Sequence, residues 1–382
     1  MHPLIKKILN LLIFSALFFI SYQDVSAQGL IHLYSASQLS LGEKNKKITW
    51  QTDLRYPLLF KKDIFESTKN LSICRKKEIR EYLFYYLTWH RSYLIKAIEK
   101  SYLYHEMIKE IFADHKYLPE EITLLPLLES GFNPRAYSRS KALGLWQFMR
   151  NTAKPLGLKK NYWLDERKDI EKSTLAAIRH LNFLYQEFQS WDLALAAYNS
   201  GASYLKKIIR QTKAKDIWEL RNLKILNQET HEYLPKFMAL ILLYNNRELF
   251  GIKDEIKIPS IEKTELVTLP SPINLKMLSK YSHLSIDKIK IFNPELKRNI
   301  TPPHYKRYQI RIPSSVKKII LAAKNKICKN KTGSFIKHKI KNGECLSQIA
   351  QAYDQSPQTL AEFNDLKNPH LIKAGRIIYI PN

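Results

Sequence analysis

From Leu71 to about Phe250 the apolar residues of this chain recur at intervals of three and four. The run REYLFYYLTWHRSYLIKAIEKSYLYHEMIKEIFADH (80–115) predicts two or so amphipathic helices, because that spacing lines one face of a 3.6-residue period. The same period predicts helices in STLAAIRHLNFLYQEF, WDLALAAYN, ASYLKKIIRQ and ETHEYLPKFMALILLYNN, which lie between 173 and 246. Leu118-Pro119-Glu120-Glu121 reads as a helix start, since proline fits the first turn and acids there complement the helix dipole. Few alternating strands interrupt this range. Residues 71–250 are expected to form one mainly α domain of ordinary size.

The texture changes after Gly251. KDEIKIPSIEKTELVTLPSP (253–272) carries proline and alternates apolar with polar residues, as a linker or short strands would; residues 251–272 are assigned to a linker. A repeat follows. At an offset of 71, Leu275, Leu278, Ser285, Ile289, Phe292 and Asn293 fall on Leu346, Ile349, Ser356, Leu360, Phe363 and Asn364. Both copies end in a short alternating strand closed by proline, YQIRIP and RIIYIP. The second copy, 335–382, has a clear leading strand in SFIKHKI and reads βααβ; the first, 273–313, is more degenerate. Between them 314–334 reads as a basic linker, partly helical.

Charge and the N-terminus narrow the partner. Lys and Arg number 62 against 35 Asp and Glu, a net charge of +27 that favours an anionic partner or simply solvated lysine-rich faces. Residues 1–27 combine Lys6 and Lys7, an apolar stretch from Ile8 to Ile20 and Val25-Ser26-Ala27, the pattern of a secretory signal; an uncleaved membrane anchor is the alternative. Residues 28–70 read as an N-terminal arm. Export to the periplasm or envelope, with membrane association, excludes nucleic acid as the physiological partner. Cys74, Cys328 and Cys345 match no zinc or CxxC spacing, and a Cys328–Cys345 bridge stays open. The 11 histidines form no paired ligand motif, so no metal and no cofactor are expected.

The chemistry points to LLPLLESGFNPRAYSRSKALGLWQFM (124–149). On a helix Glu129 shares a face with Leu125, Pro126 and Ile122, just before a break at Gly131 and Asn133-Pro134. Desolvation and the negative end of the helix dipole both raise a carboxyl pKa, which suits a general acid. A half-exposed Glu with leucine neighbours is the bland alternative. Trp146 offers a flat surface for a pyranose ring, although a lone Trp is more often core. Gln147 offers a donor and an acceptor, and Gly144 permits a turn. Tyr198 and Asn199 end a small-residue helix and can line a cleft.

Together these residues resemble the lytic murein transglycosylases with a goose-type lysozyme-like, or Slt, domain, of the D type that adds LysM modules. Glu129-Ser130, GLWQFM (Gly144 to Met149), AAYNSG (Ala196 to Gly201) and ETHEYLPKFMA (Glu229 to Ala239) match the family's motifs in order, over about 105–250. The resemblance implies a mainly α lysozyme-like catalytic domain followed by small α+β (βααβ) LysM modules. It implies Glu129 as sole catalytic acid/base, and Ser130, Trp146, Gln147, Met149, Tyr198, Asn199 and Tyr233 as residues that bind or support the substrate. The substrate implied is peptidoglycan glycan strands. In the second LysM copy the usual Gly-Asp-Thr-Leu is replaced by Gly343-Glu344-Cys345-Leu346, where Glu344 is expected to cap the helix less well than Asp.

Most glycosidases use two carboxylates. No acid at short spacing pairs with Glu129, and the placement of Asp165, Glu166 and Asp192 is open. A one-acid reaction, with the muramoyl C6 hydroxyl attacking C1 to give a 1,6-anhydro ring, is what the resemblance implies. A hydrolytic muramidase and a non-catalytic wall-binding protein remain as alternatives.

Overall fold

The computed structural model describes residues 76–382, apart from 116, 249, 259–261, 330–334, 367 and 382. The expected signal segment, the arm and Cys74 lie outside the described residues. From Tyr86 onward the described residues form one compact unit. Helix α1 (Lys77–Leu87) and the long α2 (Arg91–Ala113) occupy the two predicted helical runs.

A single 3-10 turn, Glu120–Leu124, follows Pro119 and leads into the short α3 (Leu125–Ser130). The expected helix start is therefore a tighter turn, and the α-helix proper begins at Leu125 with Pro126 in its first turn, where a missing N–H costs nothing. After α4 (Arg150–Ala153) come α5 (Ile170–Phe188), α6 (Trp191–Ser200), α7 (Ala202–Thr212), α8 (Ile217–Asn222) and α9 (Gln228–Asn245). The N-caps Asp169, Ser190, Asp216 and Asn227 each accept a backbone N–H from the first turn. Helix α6 is the centre of the domain. Its residues from Leu193 to Ala197 are buried, and it packs against α5, α7, α8 and α9. Alanines at 194, 196 and 197 let those neighbours approach closely.

The C-terminal part holds two βααβ units. In the first, β1 (Thr264–Pro270) pairs antiparallel with β2 (Arg307–Pro313), with α10 (Leu275–Ser282) and α11 (Ile286–Phe292) between. In the second, β3 (Phe335–Lys339) pairs antiparallel with β4 (Ile377–Pro381) around α13 (Leu346–Ala352) and α14 (Pro357–Phe363). Two boundaries differ from the sequence reading. The stretch assigned to a linker contains β1, because Val267 and Leu269 alternate inward and complete the first unit's core. The basic stretch after it contains α12 (Lys317–Lys329), whose Ile320 and Ile327 are fully buried in that same core. Cys328 and Cys345 are both free; the Cys328 thiol donates to the Pro270 carbonyl at 3.3 Å, so no bridge joins them.

The repeat has a physical basis in its asparagines. Asn293 donates to the Ile289 and Arg311 carbonyls at 2.8 and 2.7 Å and accepts from the Arg311 N–H at 2.8 Å. Asn364 does the same with Leu360, Tyr379 and the Tyr379 N–H, at 2.9, 2.7 and 2.6 Å. Each buried amide thus clasps the end of a helix to the closing strand, with all its bonds made to backbone. Ser285 and Ser356, also equivalent, are both N-caps. Glu344 does not cap α13; Cys345 holds that position, and the Glu344 carboxylate instead accepts from the Lys341 N–H and faces His338.

Replacing Asn293 by Ala removes three hydrogen bonds and leaves part-buried backbone groups of Arg311 without that partner. A loss of about 2–4 kcal/mol is expected, read as a lower urea midpoint of the full chain.

Candidate active site

Glu129 sits on the last turn of α3, behind the buried Leu125, Pro126 and Leu127. The helix stops where the sequence places the stop. Gly131 adopts φ 57°, and the Phe132 N–H returns to the Pro126 carbonyl at 3.0 Å. A side chain at Gly131 would also strike α2, since a Cβ there would lie 2.9 Å from the Tyr93 hydroxyl oxygen and 3.3 Å from the Ala97 Cβ. Glu129 is thereby held on one short, rigid turn.

Tyr233 on α9 faces it. This tyrosine is buried, and its hydroxyl donates to Glu129 Oε1. Burial pushes the Glu129 carboxyl up to about 7, against the bond from Tyr233, which favours the carboxylate, and with the negative charge of Glu229, which opposes it. Tyr198 and Tyr233 are both held neutral, by burial first and by the Glu129 charge second. The site is an acid half-protonated near neutrality, set among phenols that do not ionise.

A hairpin bonded to the Glu129 helix forms a wall of the site. Leu143 bridges both Tyr137 and Phe148, which closes the turn Gly144-Leu145-Trp146-Gln147. Gly144 has φ 90°, and a Cβ there would fall 1.9 Å from the Arg167 carbonyl oxygen, so no other residue fits. Gln147 takes a left-handed φ of 47° and its amide donates to the Gly144 and Ala136 carbonyls at 2.8 and 3.2 Å. The Ser130 hydroxyl donates to the Leu145 carbonyl at 3.0 Å, with the Pro126 carbonyl at 3.1 Å as second acceptor. The Tyr198 hydroxyl donates to the Trp146 carbonyl at 2.7 Å. Ser130 thus ties the Glu129 helix to the turn, and Tyr198 ties the turn to α6.

Trp146 does not offer a sugar platform. It is fully buried, stacks on Phe112 with centroids 6.1 Å apart, and gives its indole N–H to Thr174 at 3.1 Å. Its ring is core; only its carbonyl serves the site. Gln147 has spent both donors on the turn, so its amide oxygen alone is left for a ligand. Asn199 is likewise occupied: its amide donates to Glu229 at 2.9 Å and its oxygen accepts from Thr230 at 2.8 Å, bracing α6 to α9. Met149 ends the hairpin and is 43 % exposed. Among the acids left open by the sequence, Asp165 is paired with Arg167 at 2.8 Å and Glu166 with Lys172 at 2.6 Å.

Three contributors escaped the sequence reading. Glu229, exposed in the first turn of α9, stands four residues before Tyr233 and is the carboxylate whose field reaches Glu129. That i, i+4 spacing was the available signal. Arg167 and Thr174 gave none: each acts on the turn from a position remote in sequence.

The family described as Transglycosylase SLT domain matches residues 106–221, which include Glu129, the hairpin and α6. The LysM domain matches 338–381, and the family described as Lytic transglycosylase MltD, LysM-like domain, matches 263–328. The chain carries a transglycosylase SLT domain followed by two LysM-type modules. The third match spans β1 to α12, the same extent that the first module's buried core has. Membrane-bound lytic murein transglycosylase D of Escherichia coli (strain K12) is 30 % identical over 280 residues, 69 % of this chain and 60 % of that protein. The chain therefore spans about 60 % of the length of this curated relative. A protein of Alteromonas sp. (strain M-1) described for tributyltin chloride resistance is 36 % identical over 130 residues, 34 % of this chain and 59 % of its own. The solved 70 kDa soluble lytic transglycosylase of Escherichia coli aligns at 18 % identity and a TM-score of 0.35, over 46 % of this chain and 32 % of its own. Among the described residues no group of three His, Cys, Asp or Glu is arranged to hold a metal ion, and no helix is long and apolar enough to cross a membrane.

The raised carboxyl has a consequence for stability. A group protonated more readily when folded stabilises the fold fully below its ordinary pKa and loses that contribution as pH rises toward 7. Glu129→Gln is therefore expected to raise the thermal midpoint by several degrees at pH 8 and leave it unchanged at pH 4, read by calorimetry. Gly144→Ala is expected to fold poorly or lose about 3 kcal/mol or more, read by urea unfolding, because the clash is with backbone and not with a movable side chain.

Proposed function

We propose that this protein is a peptidoglycan lytic transglycosylase that cleaves the β-1,4 bond between N-acetylmuramic acid and N-acetylglucosamine and leaves a 1,6-anhydro-N-acetylmuramic acid end. One observation carries the reading: Glu129 is desolvated and hydrogen-bonded to the neutral Tyr233, so a single carboxyl is poised near pH 7 to give a proton and then take one. Glu129 protonates the bridging oxygen as the bond to C1 breaks. The resulting carboxylate accepts the proton of the muramoyl C6 hydroxyl, whose oxygen forms the new bond to C1. No water is consumed, and Glu129 ends as it began. Tyr233 steadies the carboxylate between the two transfers. Ser130, Gln147, Tyr198 and Asn199 serve mainly by holding the walls in place. The relative's printed name supports both the murein substrate and a location at the envelope membrane, and the LysM-type modules support attachment to the wall.

A second reading is a hydrolytic muramidase, favoured by Glu229, which lies close enough for its charge to bear on Glu129. Mass spectrometry of digested muropeptides separates the two. Products lighter by one water are expected from the wild type, and none from Glu129→Gln; hydrated reducing ends alone would overturn the transglycosylase reading.

The pH profile tests the assignment of the acid. Activity is expected to fall above about pH 7 as Glu129 loses its proton. Glu229→Gln removes a negative charge that raises the Glu129 pKa, so its alkaline limb should move to lower pH. Tyr233→Phe removes a bond that lowers the same pKa, so its limb should move to higher pH, with a lower maximum rate.

A further inference from the structure

The segment between the site and α5 is a second hairpin, residues 159–166. Lys160 bridges Asp165, the Glu166 N–H bonds the Lys159 carbonyl at 2.8 Å, and Asn161 Oδ1 accepts the Trp163 and Leu164 N–H groups at 2.9 and 3.0 Å. Its tip is apolar, yet buried, and what buries it is the C-terminal part of the chain. Leu164 is fully enclosed within the first LysM-type module's core. Trp163 packs with Ile300 and Phe363, and its indole N–H donates to the Phe363 carbonyl at 2.6 Å. The backbones join as well: the Asp165 N–H bonds the Glu295 carbonyl at 2.9 Å, and the Lys297 N–H bonds the Trp163 carbonyl at 2.8 Å. Arg311 pairs with Glu171 at 2.7 Å, and Arg135 donates to the Lys290 carbonyl at 2.9 Å. A loosely tethered module would show none of this.

The hairpin's base grips the site. Arg167, buried, forks onto Asp165 at 3.0 and 2.8 Å and turns its remaining nitrogen to the Lys141 and Phe148 carbonyls at 3.1 and 3.0 Å. Those carbonyls belong to the hairpin that carries Gly144, Trp146 and Gln147. A continuous path of buried contacts therefore runs from Glu295 and Leu296 of the module, through Asp165 and Arg167, to the wall bonded to the Glu129 helix. Five polar contacts with defined partners along it make the path stiff.

We infer that the first LysM-type module is a working part of the catalytic domain: docked on residues 159–166, it holds Arg167 in place as the positioning residue for the hairpin wall of the Glu129 site. This rests on the proposed catalytic role of Glu129. Its task is then separate from wall attachment, and it acts even on substrates too short to be held by a distant module.

The test uses the full chain and a short soluble muroglycan oligomer. Leu296→Asp places a charge against Leu164 to undock the module; Arg167→Lys keeps docking and charge but loses the fork; Lys276→Gln, exposed on α10 away from the contact, is the control. Hydrogen exchange by mass spectrometry follows residues 141–149 and 159–168. Leu296→Asp is expected to speed exchange in both segments about tenfold and to lower kcat about tenfold with little change in KM. Arg167→Lys is expected to reproduce the kcat loss and the exchange in 141–149 while 159–166 stays protected. Lys276→Gln should match the wild type. Undocking that leaves 141–149 protected, or leaves kcat on the short oligomer unchanged, overturns the inference, as does an Arg167→Lys protein with wild-type kcat. Should the wild type cleave nothing, the proposed function fails, and the exchange measurements still decide whether module and wall are coupled.

Discussion

The contact between the Gly144 backbone and the Arg167 carbonyl is the constraint on which the site is built. Two strands of irregular chain touch there without room for a methyl group. With that approach fixed, the Arg167 guanidinium reaches carbonyls on both sides of the turn. The turn's remaining carbonyls then fall where Ser130 and Tyr198 can find them. A buried arginine is expensive unless its donors are matched, and here Asp165 and two carbonyls take four of its five N–H groups. Much of the wall is thus backbone, fixed by side-chain donors on its carbonyls.

That arrangement explains how one carboxyl can remain desolvated without unfolding its surroundings. The penalty for charging Glu129 is partly offset by Tyr233 and partly restored by Glu229. The balance leaves the group near its midpoint at neutral pH, where both of its protonation states are populated. A drier pocket would lock the proton on; a wetter one would lose it. The alanines of α6 matter here too, because they bring α9 close enough for Tyr233 to reach α3.

Much of this was legible in the sequence where the signal was local. Helical periodicity located α2, α5, α6, α7 and α9, and Gly131 marked the end of α3. The spaced asparagines 293 and 364 disclosed the repeat, since each binds only groups within its own unit. What failed was long-range. Whether Trp146 faces a sugar or a core depends on Phe112 and Thr174, both about thirty residues away in sequence. Arg167 sits in LDERKD, which has the composition of a solvated charge run, and only the fold reveals it as buried. Strand β1 lay hidden in a proline-bearing stretch because alternation over so few residues reads equally as a linker. Glu229 entered the sequence reading only as the first residue of a motif, and its influence on Glu129 emerges once Tyr233, a turn along the same helix, is placed against that acid.

The burial of Trp163 between Ile300 and Phe363 bears on how far the protein can search. A module on a flexible leash lets its partner sample a sphere, and every bond within that radius is open to attack. A module pinned at its helix end by an indole converts the leash into a caliper. Under the proposed function, a glycan strand gripped at that module would present the acid with bonds at one fixed stride, so that the spacing of cuts along the polymer would be set by the molecule's own dimensions.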